Sequence, residues 1–515
     1  MASLRESVCG DLQQDLIAEK KKSRNWKGEE FIHYEAARAI VTHSRIRSWS
    51  KDHPLCEEHK HGCPKLSDLI SAILEKSLLL FVALDKSLFD IEAFDKLCKL
   101  ARLSAQERED LGNGRWEVGG VFSDGDIQYL PRDTVVPFFI RRNVGKRGAS
   151  GEVFQIQLPG QHLPSRMRGI ITIAEKHIRP DSGSNKTDWE RLLREVKTLR
   201  KRQNHAHIIS LLAAYQQEID ESGLPVKTLH LLFPWAEQDL KEWMNDRSTP
   251  SNVRSLSHEE GQDFLYRCIY GLVSGVCYLH SEIEGSIATH HDLKPGNILW
   301  VDGELKIADF GHSHLRSVIE GSRTEGAAEV GTYEYQPPEF WNDDGSRSQT
   351  KPGRDLDIWA MACIIVELLV LVIYGWQNGE LARFARERHD NRNSRRKKTE
   401  RYLANDDYSF HNSFEIVKAW SSALHKDQSF DRPQRLSKVL KVVKAMQNLD
   451  PKDRQYMWES QMDLYKILKP YDIRIPVIRN DLCVPPRKAS AARVGTLKAA
   501  ELFDTPLHRA VRNTD

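Results

Sequence analysis

Around Val135 the sequence changes its period, and past Asp239 it changes again. The runs Val135–Ile140, Val153–Leu158, Ile170–Ile173 and Thr228–Phe233 are β-branched or aromatic and are separated by Gly and Pro, which predicts strands. One helical segment, Trp189–Arg202, interrupts them. Beyond Asp239 apolar residues recur at helical spacing, notably over Gln262–His280 and Asp357–Tyr374. A strand-rich block followed by a helix-rich one predicts an α+β protein with two lobes of different architecture.

The flanks read differently. Residues 1 to about 110 carry apolar residues three and four apart, in Leu66–Ile70–Ile73–Leu74 and Phe94–Leu97–Leu100, and read as helical until turn residues at Gly112–Gly125. The polar, basic stretch 377–407, with Arg392–Asn–Ser–Arg–Arg–Lys–Lys398, is expected to be a solvated surface loop. At the far end Asp504–Thr–Pro–Leu–His–Arg–Ala510 matches the turn that opens an ankyrin repeat, a partial segment at 504–511. The expected domains are thus 1–134, 135–446 with the basic insertion, and a tail at 447–515.

Lys and Arg number 75 against 73 Asp and Glu, so the net charge of +2 supplies no global field toward nucleic acid or anionic lipid, and neither is expected as a partner. The apolar runs Leu78–Leu84 and Met361–Ile373 fall short of a bilayer span and read as buried helices. Eight dispersed cysteines make no dense disulfide framework, which fits a reducing compartment, cytoplasmic or nuclear.

The most informative pattern is His290–His–Asp–Leu–Lys–Pro–Gly–Asn297, followed beyond a short hairpin by Asp309–Phe–Gly311. It resembles the catalytic and metal-binding loops of eukaryotic-type serine/threonine protein kinases. Phosphoryl transfer needs carboxylate and amide oxygens for Mg²⁺, an acceptor for the hydroxyl proton, and a cation for developing phosphate charge. The resemblance implies that Asp292 receives the proton, Lys294 steadies the γ-phosphate, and Asn297 and Asp309 hold the metal, with ATP and Mg²⁺ as cofactors. It also implies a bilobal protein-kinase-like fold, with a strand-rich N-lobe and a helical C-lobe, to which the helical N-terminal region is an addition.

Further segments follow in the order of that family. Ala174–Glu–Lys176 matches the strand end with the phosphate-contacting lysine, and Glu195 is its expected partner. Gly148, Gly151 and Val153 fit the glycine-rich loop, whereas its first glycine falls on Lys146, with Gly145 displaced by one. Leu232–Leu240 resembles the hinge, which assigns Phe233 to the back of the adenine site, the backbone of Ala236 to adenine, and Asp239 to the ribose. Gly331–Glu339 resembles the end of the activation loop, with Arg432 the expected ion-pair partner of Glu339. Lys294 and Thr332 match serine/threonine rather than tyrosine kinases, so the implied partners are proteins bearing Ser or Thr, and the N-terminal region is expected to bind a partner of its own. His291 stands where many kinases carry an arginine that binds a loop phosphate. The alternative is a pseudokinase or scaffold using the fold for ATP-dependent interaction; Lys176, Asp292, Asn297 and Asp309 all being present argues against it.

Overall fold

The computed structural model describes residues 127–130, 136–148, 151–160, 163, 169–179, 186–221, 224–245, 258–317, 331–342, 346–376, 379–391, 408–426 and 433–471, with scattered positions between 15 and 42. The helices expected at Leu66–Leu74 and Phe94–Leu100 and the ankyrin-like segment lie outside the described residues. Contacts divide the chain into two units, 1–192 with 210–235, and 193–209 with 236–515.

The first unit holds strands β1 (Gln128–Leu130), β2 (Ile140–Gly148), β3 (Gly151–Pro159) and β4 (Ile170–Ile178), then β5 (Ala213–Glu221) and β6 (Leu224–Pro234); helix α1 (Lys186–Arg202) lies across the division. Among the described residues they form one sheet in the order β1-β5-β6-β4-β3-β2, antiparallel except for β1 on β5. The pleat sends alternate side chains to opposite faces. One face carries Phe154, Ile156, Leu158, Ile173, Tyr215 and Leu232, buried together with Val136 and Phe138. The strand expected at Val135–Ile140 instead begins at Ile140. Pro137 has no N–H for a ladder, so the segment before Ile140 serves the core through Val136 and Phe138 rather than the sheet. Strand β5 went unforeseen because Gln216, Gln217, Glu218 and Asp220 hide its apolar positions.

The second unit is built on α2 (Leu240–Asn245), which follows β7 (Gln238–Asp239), and on α3 (His258–His280). Then come β8 (Ser286–Thr289), the hairpin β9 (Ile298–Val301) and β10 (Glu304–Ile307), β11 (His314–Ser317), α4 (Arg354–Tyr374), α5 (Glu380–Asn391), α6 (Phe414–Lys426), α7 (Pro433–Met446) and α8 (Met457–Leu468). Helix α4 is apolar on all sides, and every residue from Leu356 to Ile373 is buried. It is long and apolar enough to cross a membrane, yet here that surface forms the centre of the unit, as all-round apolar helices do.

Two expectations are corrected here. The basic stretch 377–407 is not all loop: its first part forms α5, because Phe384 and Arg388, one helical turn apart, both face inward and are buried. The folded region also continues past residue 446, since α8 packs along α3, with Gln461 Nε2 donating to Ser274 Oγ at 3.1 Å.

Candidate active site

In the helical unit the hairpin does the placing. Ile298 pairs with Ile307, and one residue further out Ala308 N–H donates to Asn297 O at 2.9 Å, so Asn297 and Asp309 emerge at the same end. Asp309 sits in the left-handed region, φ 61°. Phe310 is buried beneath it, its ring 5.0 Å from that of His290, whose Nε2 lies 2.9 Å from Ala308 O.

Asp357 in the first turn of α4 holds the loop before Asp292. Its Oδ2 accepts from His290 N at 2.8 Å and from His280 Nε2 at 2.9 Å, and its Oδ1 accepts from His291 N at 2.7 Å. Burial pushes the Asp357 carboxyl up, but the hydrogen bond and charge of His280, with the other histidines, hold it down at about 2. His291 itself is 1 % exposed, with φ 67°, and neither ring nitrogen has a hydrogen-bond partner. Burial pushes its pKa down to about 3, so the ring is neutral at physiological pH and cannot do an arginine's work on a phosphate.

Around Asp292 four donors converge. Oδ1 accepts from Thr332 N at 2.7 Å and Thr332 Oγ1 at 2.8 Å, while Oδ2 accepts from Lys294 Nζ at 2.8 Å and Asn297 Nδ2 at 2.9 Å. Lys294 Nζ also donates to Thr332 Oγ1 at 2.8 Å. The approach of Thr332 requires Gly331 before it: φ is 72°, and a Cβ there would lie 2.5 Å from His291 O. Asn297 uses its Nδ2 on Asp292 O as well, at 2.8 Å, so its Oδ1 is left as the accepting end. That amide oxygen and the Asp309 carboxylate are hard oxygen donors of the kind Mg²⁺ takes, so the residues present fit the ion. Asp239 belongs to the same neighbourhood, since β7 pairs with β9 at Leu299; its Oδ1 accepts from Glu242 N at 2.9 Å and caps α2. Ala236 precedes β7, and Glu195 on α1 is buried.

In the strand unit, register brings the other predicted residues together. Val153 lies opposite Lys176, and Ala174 opposite Phe233, so all four share one sheet face. All are half-buried there, whereas Phe154, Ile173, Glu175, His177 and Leu232 on the far face are buried. The displaced glycine is explained by a bulge: the β2–β3 register slips between Asn143 and Arg147, and Gly145, with φ 72°, takes its N–H to Asn143 Oδ1 at 2.8 Å. Gly148 pairs with Gly151, where a Cβ would meet His177 O at 2.6 Å.

Glu339 has a partner that the sequence did not point to. Glu339 is held by Arg454, whose Nη1 and Nη2 donate to Oε1 at 2.8 Å and Oε2 at 3.0 Å; Arg432 lies outside the described residues. The turn after α7 returns Arg454 to this position, a consequence of tertiary path that local sequence does not signal. Reasoning from sequence also missed Arg388. Its Nη2 donates to Glu334 Oε1 at 2.8 Å and reaches Glu367 Oε1 at 3.4 Å, while Tyr335 OH donates to Glu367 Oε2 at 3.1 Å. The segment containing Thr332 is thereby tied to α4 and α5.

Comparison with known proteins agrees with this geometry. The protein kinase domain pattern matches residues 142–463. Cyclin-dependent kinase 17 of Caenorhabditis elegans is 30% identical over 213 residues, covering 40% of this chain and 26% of the relative. Cyclin-dependent kinase D-1 of Arabidopsis thaliana is 28% identical over 239 residues, 45% of this chain and 49% of the relative. Serine/threonine-protein kinase SSN3 of Coccidioides immitis is 29% identical over 203 residues, 38% of each. The chain thus spans about half the length, or less, of the curated relatives it matches. Because the family pattern covers more than half of the chain, including the hairpin, the loop at Asp292 and the strand of Lys176, the chain belongs to the protein kinase family.

Proposed function

We propose that the chain is a serine/threonine protein kinase that transfers the γ-phosphate of ATP to protein hydroxyls. The observation that carries this reading is the Asp292 carboxylate, bound at once by Thr332, Lys294 and Asn297. A substrate hydroxyl exchanging for that of Thr332 gives its proton to Asp292 as its oxygen attacks the γ-phosphorus, the bond from that phosphorus to the β-phosphate oxygen breaks, and ADP leaves. Lys294 offers its ammonium to the phosphate oxygens as charge develops. Asn297 and Asp309 would hold Mg²⁺, which when bound would offset the negative charge of the phosphates.

Lys176, in the strand unit, is assigned to the nucleotide phosphates, the backbone of Gly145, Gly148 and Gly151 to covering them, and Glu195 on α1 to the role of the lysine's partner. Val153, Ala174 and Phe233 are assigned to the adenine, Ala236 to its edge, and Asp239 to the ribose. Lys294 and Thr332 support Ser/Thr as acceptors. One relative, 26% identical over 237 residues, is the dual specificity protein kinase Ttk of Danio rerio, so the test includes the identity of the acceptor.

The test is transfer of radiolabelled phosphate from ATP to a generic basic protein and to the chain itself, followed by phosphoamino-acid analysis. Label is expected on serine and threonine, with Asp292→Asn lowering turnover about a hundredfold or more. Unchanged turnover of Asp309→Ala at saturating ATP would remove the assignment.

A further inference from the structure

The strand that carries Lys176 reads Ala174–Glu175–Lys176–His177, and its pleat puts Glu175 and His177 on the face away from the proposed nucleotide site. That face carries the apolar core of the unit, and Glu175 in it is 0 % exposed. A carboxylate so placed needs partners, and it draws them from three other strands. Arg141 Nε on β2 donates to Oε2 at 2.7 Å; Tyr215 OH on β5 donates to Oε1 at 3.1 Å; His230 Nδ1 on β6 lies 2.6 Å from Oε1. The Arg141 guanidinium reaches β4 across the Phe154 ring of β3, 3.6 Å from its centroid. Tyr215, His230 and His177 stack with centroids 4.3 and 4.5 Å apart, and His177 Nδ1 lies 3.4 Å from Arg141 Nη2. Burial pushes the Glu175 carboxyl up, yet His230 and then Arg141 hold it at about 2, so it is a fixed anion at any physiological pH.

This cluster sits where the hairpin needs it. The β2–β3 ladder is regular through Asn143 and then slips, so Arg141 is among the last positions before the bulge. Apolar side chains tolerate small slides, whereas directed hydrogen bonds to one carboxylate fix strand register and height within tenths of an ångström. We propose that Glu175 and Arg141 are positioning residues for Lys176: the clamp on one face of β4 fastens the base of the glycine hairpin to that strand and sets where Lys176 meets the nucleotide phosphates on the other. The proposal rests on the reading of Lys176 given above.

The test uses the full chain with Glu175→Leu and Arg141→Met combined, because exchanging both members of a buried pair for apolar residues commonly leaves stability intact. Affinity for MgATP, KM for ATP, kcat and thermal midpoint are measured beside Lys176→Ala. The expected result is a midpoint within a few degrees of the parent, KM for ATP and dissociation constant raised about tenfold, and kcat lowered no more than severalfold. A parent-like midpoint with KM and dissociation constant within twofold of the parent overturns the clamp, while an impaired Lys176→Ala shows that the lysine reading survives. If Lys176→Ala itself binds and turns over ATP normally, the lysine reading falls and the clamp with it. Should the double variant not fold, Arg141→Lys, which keeps the charge but not the Nε–H aimed at Glu175, is judged by the same ATP measurements.

Discussion

Glu175 in the strand unit and Glu367 in the helical unit are both buried, each beside an arginine and a tyrosine hydroxyl, and their acidities move in opposite directions. Glu175 is held at about 2, whereas burial pushes Glu367 up to about 7. Burial is the largest influence on both and favours the neutral acid. The outcome is decided by what stands near. Glu175 has Arg141 at 2.7 Å and His230 at 2.6 Å. Glu367 has Arg388 at 3.4 Å, and that guanidinium is drawn to 2.8 Å from Glu334, whose own negative charge raises Glu367 further. A buried arginine is therefore no guarantee of an ionised partner; the distance of the contact and the charges beside it decide.

The largest test exchanges each arginine. Arg141→Met strands a buried anion, and a loss of about 3–5 kcal/mol in unfolding free energy is expected. That loss should be equal at pH 6 and pH 8, because both lie far above the value of about 2 at which Glu175 is held. Arg388→Met should cost less, about 2–3 kcal/mol at pH 8, and less again at pH 6, where Glu367 can take up a proton. Equal losses at both pH values for Arg388→Met would break the contrast.

A smaller effect concerns the slope of stability with pH. Glu367 has a folded value above its ordinary 4.5, so the native state keeps a proton that the unfolded chain has lost between pH 4.5 and about 7. Its contribution is present below 4.5, declines as pH rises through that window by at most about 1.4 kcal/mol per unit, and is gone above 7. Glu175 runs the other way, its contribution present above 4.5 and lost as pH falls toward 2. Glu367→Gln should flatten the curve between pH 5 and 7 in denaturant titrations, leaving the acid limb unchanged. The smallest effect is that of the hydroxyls. Tyr215→Phe removes a hydrogen bond to a charged acceptor and should cost about 1.5–3 kcal/mol, against about 1 kcal/mol for Tyr335→Phe, whose acceptor is partly protonated at neutral pH.

These clusters also mark where the sequence stops being legible. The loop at Asp292 and the hairpin to Asp309 could be read because phosphoryl transfer demands fixed residue types at fixed separations, and α3 and α4 because their apolar content leaves little alternative. Glu175, by contrast, meets Arg141 and His230 across 34 and 55 positions, and Arg388 meets Glu334 across 54. No periodicity encodes such partners. For α5 a signal was available: Phe384 and Arg388 are spaced as one helix face, but the basic run that follows made the whole stretch look solvated. Arg454 meets Glu339 across 115 positions, and only the path of the chain after α7 brings it there.

The four donors around Asp292 have a consequence for ATP that meets no protein. On the proposed roles, the acid acts only on a hydroxyl that displaces one of its present partners, and the Thr332 hydroxyl it must displace is held in turn by Lys294. A serine on a docked polypeptide makes that exchange with the rest of its chain already bound, so the effective concentration of its hydroxyl is high. A solvent molecule makes it with nothing but its own hydrogen bonds. Closure of the base by its own neighbours thus acts as a filter against idle hydrolysis, favouring a docked hydroxyl over bulk water.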